Sequence, residues 1–342
     1  MNRTTCTIRG PKDNSLDTSL LRWELIDVSG LQADQLTLTF SRMHLTWVPK
    51  QGEVLIFETC MPPAYRPVHR GHFIINRVQW RLTPPVVTVV ASAAPFQTTQ
   101  KNVLKEKRSR SFSQITFGDL FRQVVTAHGF TPRVADQFDA VYLIHIDQNA
   151  ETDMSFLSRL ASIYDAIAKP VDTYYVLAPR GQVRCFSGEE LPILYASLKL
   201  EHSQLKILNA EVTDTGRTQF NGVAAMFWQG ETGCLSELQQ GSAPFKRLPQ
   251  PYENEDLAQL AIQQEHRRLK RTKKCLRLQT VGHPLLVAEG ILKLDHTFPA
   301  VMQGAWSIDR VITSARPSDG CCSFVEATLP ATMPTKESQR AM

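Results

Sequence analysis

The chain has 342 residues, with 38 lysines and arginines against 33 aspartates and glutamates, so its net charge is +5. At roughly 150 residues per domain this length predicts two or three compact units, and the apolar (42%) and charged (21%) fractions exclude a disordered, collagenous or disulfide-scaffold protein. The longest apolar stretch, residues 84–96, is too short for a membrane helix of roughly 20 residues, and the N-terminus lacks a signal-peptide core, so we expect no membrane insertion.

The first part of the chain, residues 20–92, mostly has the period-two alternation of β-strands. Residues 35–40 alternate cleanly, and the β-branched run 86–90 is typical of a strand that is buried on both faces or closes a barrel. A polar, basic stretch follows. The sequence therefore predicts a first β-barrel domain over 1–96 and a basic linker over 97–113.

The middle of the chain changes to helical periodicity. Apolar residues at helical spacing over 117–125, preceded by Thr116, predict a capped amphipathic helix. A second helix is predicted to begin at Thr152 or Asp153 and to end before Pro170. Short strands are predicted over 142–146, 174–177 and 183–186. Together these elements predict an α+β insertion domain over 114–200.

The β pattern returns after residue 200. Strands are predicted over 207–213, 222–228, 276–281, 290–294, 305–313 and 323–329. One helix interrupts them, over 255–272, with Asn254 as its N-cap. The pattern predicts a second β-barrel domain over 201–330 and a flexible tail over 331–342. Because a β unit near each end encloses an α+β middle, we expect a β-rich α+β fold that uses one barrel type twice.

The seven cysteines form no recognisable framework. Their number is odd and none lies in a C-x-x-C pair, which disfavours a disulfide scaffold or a zinc knuckle. The vicinal pair Cys321-Cys322 is interpreted as two small apolar residues, one facing into the fold and one facing out.

The common active-site motifs are missing from the sequence, among them G-x-S-x-G, the phosphate loop, G-x-G-x-x-G and H-E-x-x-H. We therefore expect no catalytic residue, no metal site and no cofactor. His69 and His72 are candidate metal ligands together with Glu58 or Cys60. A second acidic or thiolate pair at ligand spacing is missing, so a hairpin turn around Gly71 is the favoured interpretation.

The adjacent carboxylates Glu189 and Glu190 follow Gly188 in a predicted loop. Cell-wall hydrolysis needs two carboxylates roughly 5 to 9 Å apart. Adjacent residues of an extended loop point apart, so a solvated turn is favoured. A peptidoglycan hydrolase remains the alternative hypothesis for the function.

Basic residues are concentrated in two segments, 101–110 and 266–274. Such clusters bind phosphate backbones, which makes nucleic-acid binding a third hypothesis. The first segment lies in the predicted linker, however, and the second ends the predicted helix, where cations favour the negative end of the helix dipole. The sequence shows no helix-turn-helix pairing, so a solvated role is favoured.

Several segments, in order along nearly the whole chain, resemble the late control protein D family of contractile phage tails, whose members are the trimeric tail hub. The segments are 21–27, 34–38, 49–53, 71–78, 107–112, 148–161, 282–286 and 304–311. The strongest is 148–161, which is similar to the family pattern Q-x-x-E-S-D-x-x-F-L-x-R-L-A. In it, Glu151 and Asp153 lie at the positive end of the predicted helix.

The resemblance implies a structural, non-enzymatic protein required for tail assembly. Two similar tube-type barrels per chain, six per homotrimer, would form a ring that joins the hexameric tail tube to the trimeric spike and forms part of the central channel. This ring would have large obligate interfaces, on the order of 2,000 Å² or more. Because the chain stops at Met342 with no appended needle domain, we expect the spike to be a separate polypeptide.

The resemblance also implies the remaining partners and the location of the protein. The partners would be the tail tube or tube-initiator protein, the tape measure protein and the baseplate wedge proteins, with DNA only as cargo in the channel. Some of the basic residues would line that channel or contact the spike. The protein would be made in the bacterial cytoplasm and would reside in the baseplate of a virion or of a tail-like bacteriocin.

Overall fold

The computed structural model describes the greater part of the chain. The described residues are 6–10, 19–30, 33–45, 47–60, 66–93, 106–164, 166–171, 174–179, 191, 193–214, 220–230, 232–316 and 320–330. Within them, none of the helices is long and apolar enough to cross a membrane.

The first half of the fold is a set of six antiparallel strands. They are β1 (Cys6–Arg9), β2 (Leu20–Val28), β3 (Gln35–Ser41), β4 (Val54–Cys60), β5 (Pro67–Arg81) and β6 (Val86–Ser92). Their spatial order is β1-β4-β5-β6-β3-β2. Alternate side chains of β3, β4 and β6 are buried, because successive residues of a strand face opposite sides of the sheet. These side chains form a first core, in which Trp23 packs edge-on against Phe57 with ring centres 5.3 Å apart.

The second half consists of six strands that lie beyond residue 192. They are β12 (Ile193–Ala196), β13 (Ile207–Asp214), β17 (Lys274–Val281), β18 (Ile291–Leu294), β19 (Gly304–Arg316) and β20 (Gly320–Thr328). Their spatial order is β12-β18-β19-β20-β17-β13, which repeats the order of the first half strand for strand. One ladder differs in direction, since β12 lies parallel to β18 whereas β1 lies antiparallel to β4.

The repeat extends to the register of the strands. The octapeptides 71–78 and 304–311 occupy the same place in β5 and β19 and share a glycine, an isoleucine, an arginine and a valine at matching positions. Gly71 and Gly304 both have a positive φ, at +115° and +108°. The same bulge follows in each strand, between Ile75 and Arg77 and at the matching position of β19. The chain therefore contains one six-stranded unit twice.

The two halves are joined in one sheet of twelve strands by pairing between β2 and β19. In the described part of the chain no ladder joins the two outer strands of either half, so the described strands form open sheets rather than the closed barrels that the sequence predicted. The prediction that one β unit is used twice in a β-rich α+β fold is confirmed. The first core includes Ala315 and Cys321 from the second half, which shows how closely the two units pack.

The α+β middle contains seven elements with a core of their own. They are β7 (Arg108–Thr116), α1 (Phe117–Thr126), β8 (Thr131–Val134), β9 (Tyr142–Glu151), α2 (Asp153–Ile163), β10 (Ala166–Val171) and β11 (Tyr174–Pro179). Thr116 and Thr152 cap the two helices, each accepting a bond from the backbone N–H three residues on. Both predicted helices are confirmed.

A second inserted segment, which we call the β14–α3 insertion, interrupts the second half between β13 and β17. It consists of β14 (Gly222–Trp228), β15 (Leu235–Gly241), β16 (Phe245–Arg247) and α3 (Glu255–Thr272). The helix has the predicted bounds, and the side chain of Asn254 accepts from the N–H of Leu257. Ala258 and Ile262 pack on β14 in a separate small core. The helix thus belongs to the β14–α3 insertion rather than to the six-stranded unit.

Two predicted boundaries differ from the structure. The end of the predicted basic linker is strand β7, whose arginines alternate with polar residues and therefore gave no apolar strand signal. The strand β12 falls inside the predicted insertion 114–200 but pairs with β18 of the second half. The predicted strand 183–186 and the predicted tail 331–342 lie outside the described residues.

Candidate functional site: a closed joint and its open counterparts

The closed joint between the halves is the ladder that β2 forms with β19. Its register runs from Val28 opposite Arg310 to Trp23 opposite Ala315. Trp23 and Ala315 are 1% and 3% exposed, so this end of the joint is shielded from solvent as well as either core is. Next to the ladder, Arg70 of the first half donates a hydrogen bond of 2.8 Å to the carbonyl of Pro284 in the second half.

A buried charge cluster lies at one end of the closed joint. The ammonium of Lys169, from β10 of the insertion, lies 2.6 Å from Asp34 Oδ1 and 3.4 Å from Asp27 Oδ1, and it donates to the carbonyl of Val28 at 2.9 Å. Asp27 Oδ2 also accepts from the backbone N–H of Ala288 in the second half, at 2.9 Å. Lys169 thus links the insertion to the first half, and Asp27 links that half to the second.

Two carboxylates share this single ammonium, and this imbalance affects the pKa of Asp34. Burial, followed by repulsion from Asp27, raises the pKa of Asp34 to about 7 against an opposing effect of Lys169. Burial by itself would lower the pKa of Lys169, but attraction to Asp34 and Asp27 outweighs it and leaves that pKa raised. The cluster therefore takes up a proton near neutral pH while the lysine stays charged.

A second buried carboxylate organises the insertion. Asp153, 2% exposed, accepts hydrogen bonds from Arg110 at 2.6 Å and from Gln148 at 2.8 Å, and it lies 2.7 Å from His128 Nε2 and 3.4 Å from Arg108. Burial raises the pKa of Asp153, but these partners outweigh it and leave the pKa lowered. The conspicuous 148–161 segment is explained by this cluster.

The same cluster accounts for part of the first basic segment. Arg108 and Arg110 are internal ion partners, whereas Lys101 and Lys105 lie outside the described residues. In the second segment Arg271 is buried, whereas Arg267, Arg268, Lys270 and Lys273 are exposed; Arg268 also pairs with Glu265. These four cations face solvent.

The duplication implies counterparts of the closed joint, and both are open. Strand β13 of the second half corresponds to β2 of the first half, and both strands have a bulge at the same position of the register. The end of β5 in the first half corresponds to the part of β19 in the second half that pairs with β2. Beyond Asn76, β5 leaves β4 and has β6 on one side. Among the strands that the structure describes, none pairs with the outer side of β13 or with the other side of residues 77–81.

The remaining predicted candidates do not combine into a site. His69 lies opposite Glu58 in the β4–β5 ladder, and its ring centre is 5.4 Å from that of His72. The described residues contain no group of three or more histidines, cysteines or acids that could hold a metal ion. Glu189 and Glu190 lie outside the described residues. Cys321 is buried and Cys322 is half-buried, as predicted for one inward and one outward residue.

Sequence reasoning missed the closed joint. Asp27, Asp34 and Lys169 belong to different units and share no spacing that reveals a cluster. A trace of the duplication in the sequence is the pair of octapeptides 71–78 and 304–311, which are identical at four of eight positions. The structure gives this likeness its meaning, because the two segments occupy the same place in β5 and β19.

Comparison with known proteins adds sequence relatives and structural neighbours; no family model matches the chain. The probable baseplate hub protein of Escherichia phage P2 is 30% identical over 179 residues, which cover 52% of this chain and 45% of that protein. The corresponding protein of Escherichia phage 186 is 26% identical over 185 residues, covering 51% and 43%. The chain therefore spans less than half the length of these curated relatives. The predicted relationship to tail hub proteins is confirmed.

The fold is that of solved tail proteins. A 43 kDa tail protein of prophage MuSo2 from Shewanella oneidensis matches with a TM-score of 0.70 at 11% identity, over 96% of this chain and 99% of that one. A tail protein of Neisseria meningitidis matches with a TM-score of 0.69 at 12% identity, over 95% and 96%. An Escherichia coli component of the type VI secretion system matches with a TM-score of 0.55 at 12% identity, over 93% and 76%.

Proposed function

We propose that this protein is the structural hub of a contractile-tail baseplate, where three copies join the tail tube to the spike. The duplicated six-stranded unit carries the proposal, since three chains with two equivalent units each present six units around a threefold axis. Such a ring matches a sixfold tube on one side and a threefold spike on the other. The relationship to probable baseplate hub proteins supports this role.

The partners and the location follow from the same role. We propose a homotrimer that binds a separate spike protein, the tube or its initiator, the tape measure protein and the baseplate wedge proteins, and that surrounds a channel through which DNA passes as cargo. The protein would work without catalysis, through its interfaces, in the baseplate of a virion or of a tail-like bacteriocin. It would be made in the bacterial cytoplasm before assembly.

Light scattering of the purified protein at micromolar concentration tests the hub role. We expect a particle of three chains, either alone or after mixing with the spike protein. A monomer in both conditions would overturn the proposal.

Deleting the reading frame from the genome that encodes the chain should abolish assembled tails in electron micrographs, and supplying the gene in trans should restore them.

A further inference from the structure

We propose that the open side of β5 pairs with β13 of a second copy of the chain, in the register that β19 and β2 use within one chain. The inference rests on the proposed function, because it takes the assembly to be a closed ring of three chains. Each chain offers one β5 edge and one β13 edge, which is a head-to-tail arrangement that propagates until a ring closes. Strand addition of this kind satisfies the unpaired backbone groups of both edges.

The register follows from the closed joint. There, Ser314 lies opposite Glu24 and Thr313 lies opposite Leu25. The bulges align Ser314 with Arg81 and Glu24 with Glu211, because each pair occupies the same rung relative to its own bulge. The transferred register places Arg81 opposite Glu211, Trp80 opposite Val212, and Gln79 opposite Thr213.

The outward face of this pairing is complementary in charge. Arg77 and Arg81 are exposed on β5, and Glu211 is exposed on β13. None of the three makes an ion pair with another residue that the structure describes. Opposite charges that lie directly across a ladder stabilise it, and like charges destabilise it. Pairing of β5 with β5, or of β13 with β13, would bring charges of one sign together, so the edges favour each other over themselves.

The inward face is complementary in size. In the closed joint a large side chain faces a small one, as Trp23 does opposite Ala315. In the proposed pairing a large side chain would again face a smaller one, Trp80 of β5 opposite Val212 of β13. Here the large residue lies on the strand equivalent to β19, whereas in the closed joint it lies on β2. Trp80 lies opposite the buried Val87 and hence on the inward side of its strand, and Val212 packs against the second core. Both residues are thus aimed at the space that a partner strand would close.

The exposure of equivalent positions points the same way. Trp80 is 50% exposed, whereas Thr313, at the equivalent place in the closed joint, is 5% exposed. On the other edge Leu208 is 49% exposed at the bulge of β13. A tryptophan at the half-open edge of a sheet is costly to leave in water and is typical of the centre of an interface.

Charge reversal tests the pairing, with light scattering and sedimentation equilibrium as readouts. Arg81→Glu places two carboxylates across each joint, and Glu211→Arg places two cations there. We expect each to raise the concentration needed for trimer formation at least about tenfold at about 0.1 M salt. The double variant Arg81→Glu/Glu211→Arg restores opposite charges in every joint and should return close to the wild-type value. Lys50→Glu and Glu201→Arg, also exposed, are matched controls and should have no effect.

Paired cysteines test the register itself. Gln79→Cys with Thr213→Cys places thiols directly opposite each other, where Cβ atoms are about 4.5 to 5.5 Å apart. Oxidation should give a covalent trimer on a non-reducing gel, without a ladder of longer species. The offset pair Gln79→Cys with Glu211→Cys separates the Cβ atoms by about 7 Å, beyond the reach of a disulfide, and should cross-link far less. All of these variants also carry Cys275→Ser, because Cys275 lies opposite Thr213 in the same chain and would otherwise pair with the new thiol. Each single variant controls for the other native cysteines.

The outcomes separate this inference from the hub role. If the wild type is a trimer but neither reversal weakens it, or if the offset pair cross-links as well as the direct pair, the β5–β13 pairing is wrong and the hub role stands. If the double reversal fails to restore a trimer that both single reversals abolish, the proposed opposition of Arg81 and Glu211 is wrong. If the wild type is a monomer alone and with the spike protein, both proposals fail.

Discussion

The closed joint and the open edges of this protein are built from the same two strands of a duplicated unit. In the closed joint β2 meets β19, and the inward side chains are buried. The open edges carry Trp80 on one side and Val212 on the other, both aimed inward without a partner strand in the described chain. One copy of the joint is therefore closed within the chain, and in the proposed ring the other would be closed by a second chain.

The closed joint and the open edges also differ in the charged residues that lie beside them. The closed joint has a cation from the insertion, Lys169, that binds Asp27 and Asp34. The insertion is therefore held against the first half beside the closed joint. At the open edges, Arg81 and Glu211 are exposed and make no ion pair with another residue that the structure describes. This contrast predicts that substitutions in the closed joint change folding, whereas substitutions at the open edges change association.

The largest effect is expected from Trp23→Ala in the closed joint. Trp23 is 1% exposed and packs on Phe57, so truncation leaves a large cavity. We expect the free energy of unfolding to fall by about 4 kcal/mol, as for other buried tryptophans. Urea unfolding followed by tryptophan fluorescence and circular dichroism measures the change.

Trp80→Ala is the matched control on the open edge. Trp80 is 50% exposed, so we expect the free energy of unfolding of the monomer to change by less than about 1 kcal/mol while trimer formation weakens. Equal losses of folding stability in the two variants would contradict the division between a closed joint and an open one.

The next effect in size is expected from Lys169→Met, which keeps the apolar stem and removes the ammonium. Asp27 and Asp34 would then be buried without a cation, at a cost of about 3 kcal/mol at pH 7. The loss should grow as the pH rises through about 7, because Lys169 lowers the pKa of Asp34 and so stabilises its ionised form. Lys169→Arg retains the charge and is the control for the electrostatic contribution. A loss independent of pH would show that packing, not charge, dominates.

Local signals in the sequence were sufficient for the helices and most strands. Asn254 and Thr116 have the side chains that cap helices, and each observed helix begins directly after its capping residue. Strand β7 was missed because a strand with one face in a polar cluster has no apolar alternation. Arg108 and Arg110 of β7 pair with the buried carboxylate of Asp153. Because these arginines occupy the inward positions that apolar residues usually fill, the strand was not predicted.

The site was harder to predict than the fold. The closed joint depends on contacts between residues far apart in the chain, such as Asp27 with Ala288, and no spacing rule reveals such pairs. Closed barrels were predicted because a β-branched strand such as β6 suits a closing strand, but an inner strand of an open sheet has the same composition. The likeness between 71–78 and 304–311 was present in the sequence, but it is the structure that gives it its meaning.

A smaller effect is expected from Asp34→Asn, and it should appear as a change in pH dependence. The pKa of Asp34 in the folded chain, about 7, lies above its ordinary value of 3.8. The contribution of this group to stability is therefore fully present below about pH 4 and is lost as the pH rises toward 7, with a slope of up to about 1.4 kcal/mol per pH unit. In Asp34→Asn this slope disappears. Urea unfolding at intervals from pH 4.5 to 7.5 gives the difference between the variant and the wild type, and Asp136→Asn is the exposed control. A difference that does not vary with pH would show that Asp34 is already ionised throughout this range.

The smallest effects are expected from Gly71→Ala and Gly304→Ala, which compare the two units directly. Both glycines have a φ near +110°, and an added Cβ would meet no atom within 4 Å at either site. The cost is therefore that of the backbone conformation alone, about 1 to 2 kcal/mol. Because the two positions are equivalent, we expect the same loss in the free energy of unfolding, measured in urea. Gly230→Ala, which also has open space but no positive φ, should have little effect. If one substitution costs much more than the other, the strands β5 and β19 do not bear the same strain, and the transfer of register from the closed joint to the open edge loses its basis.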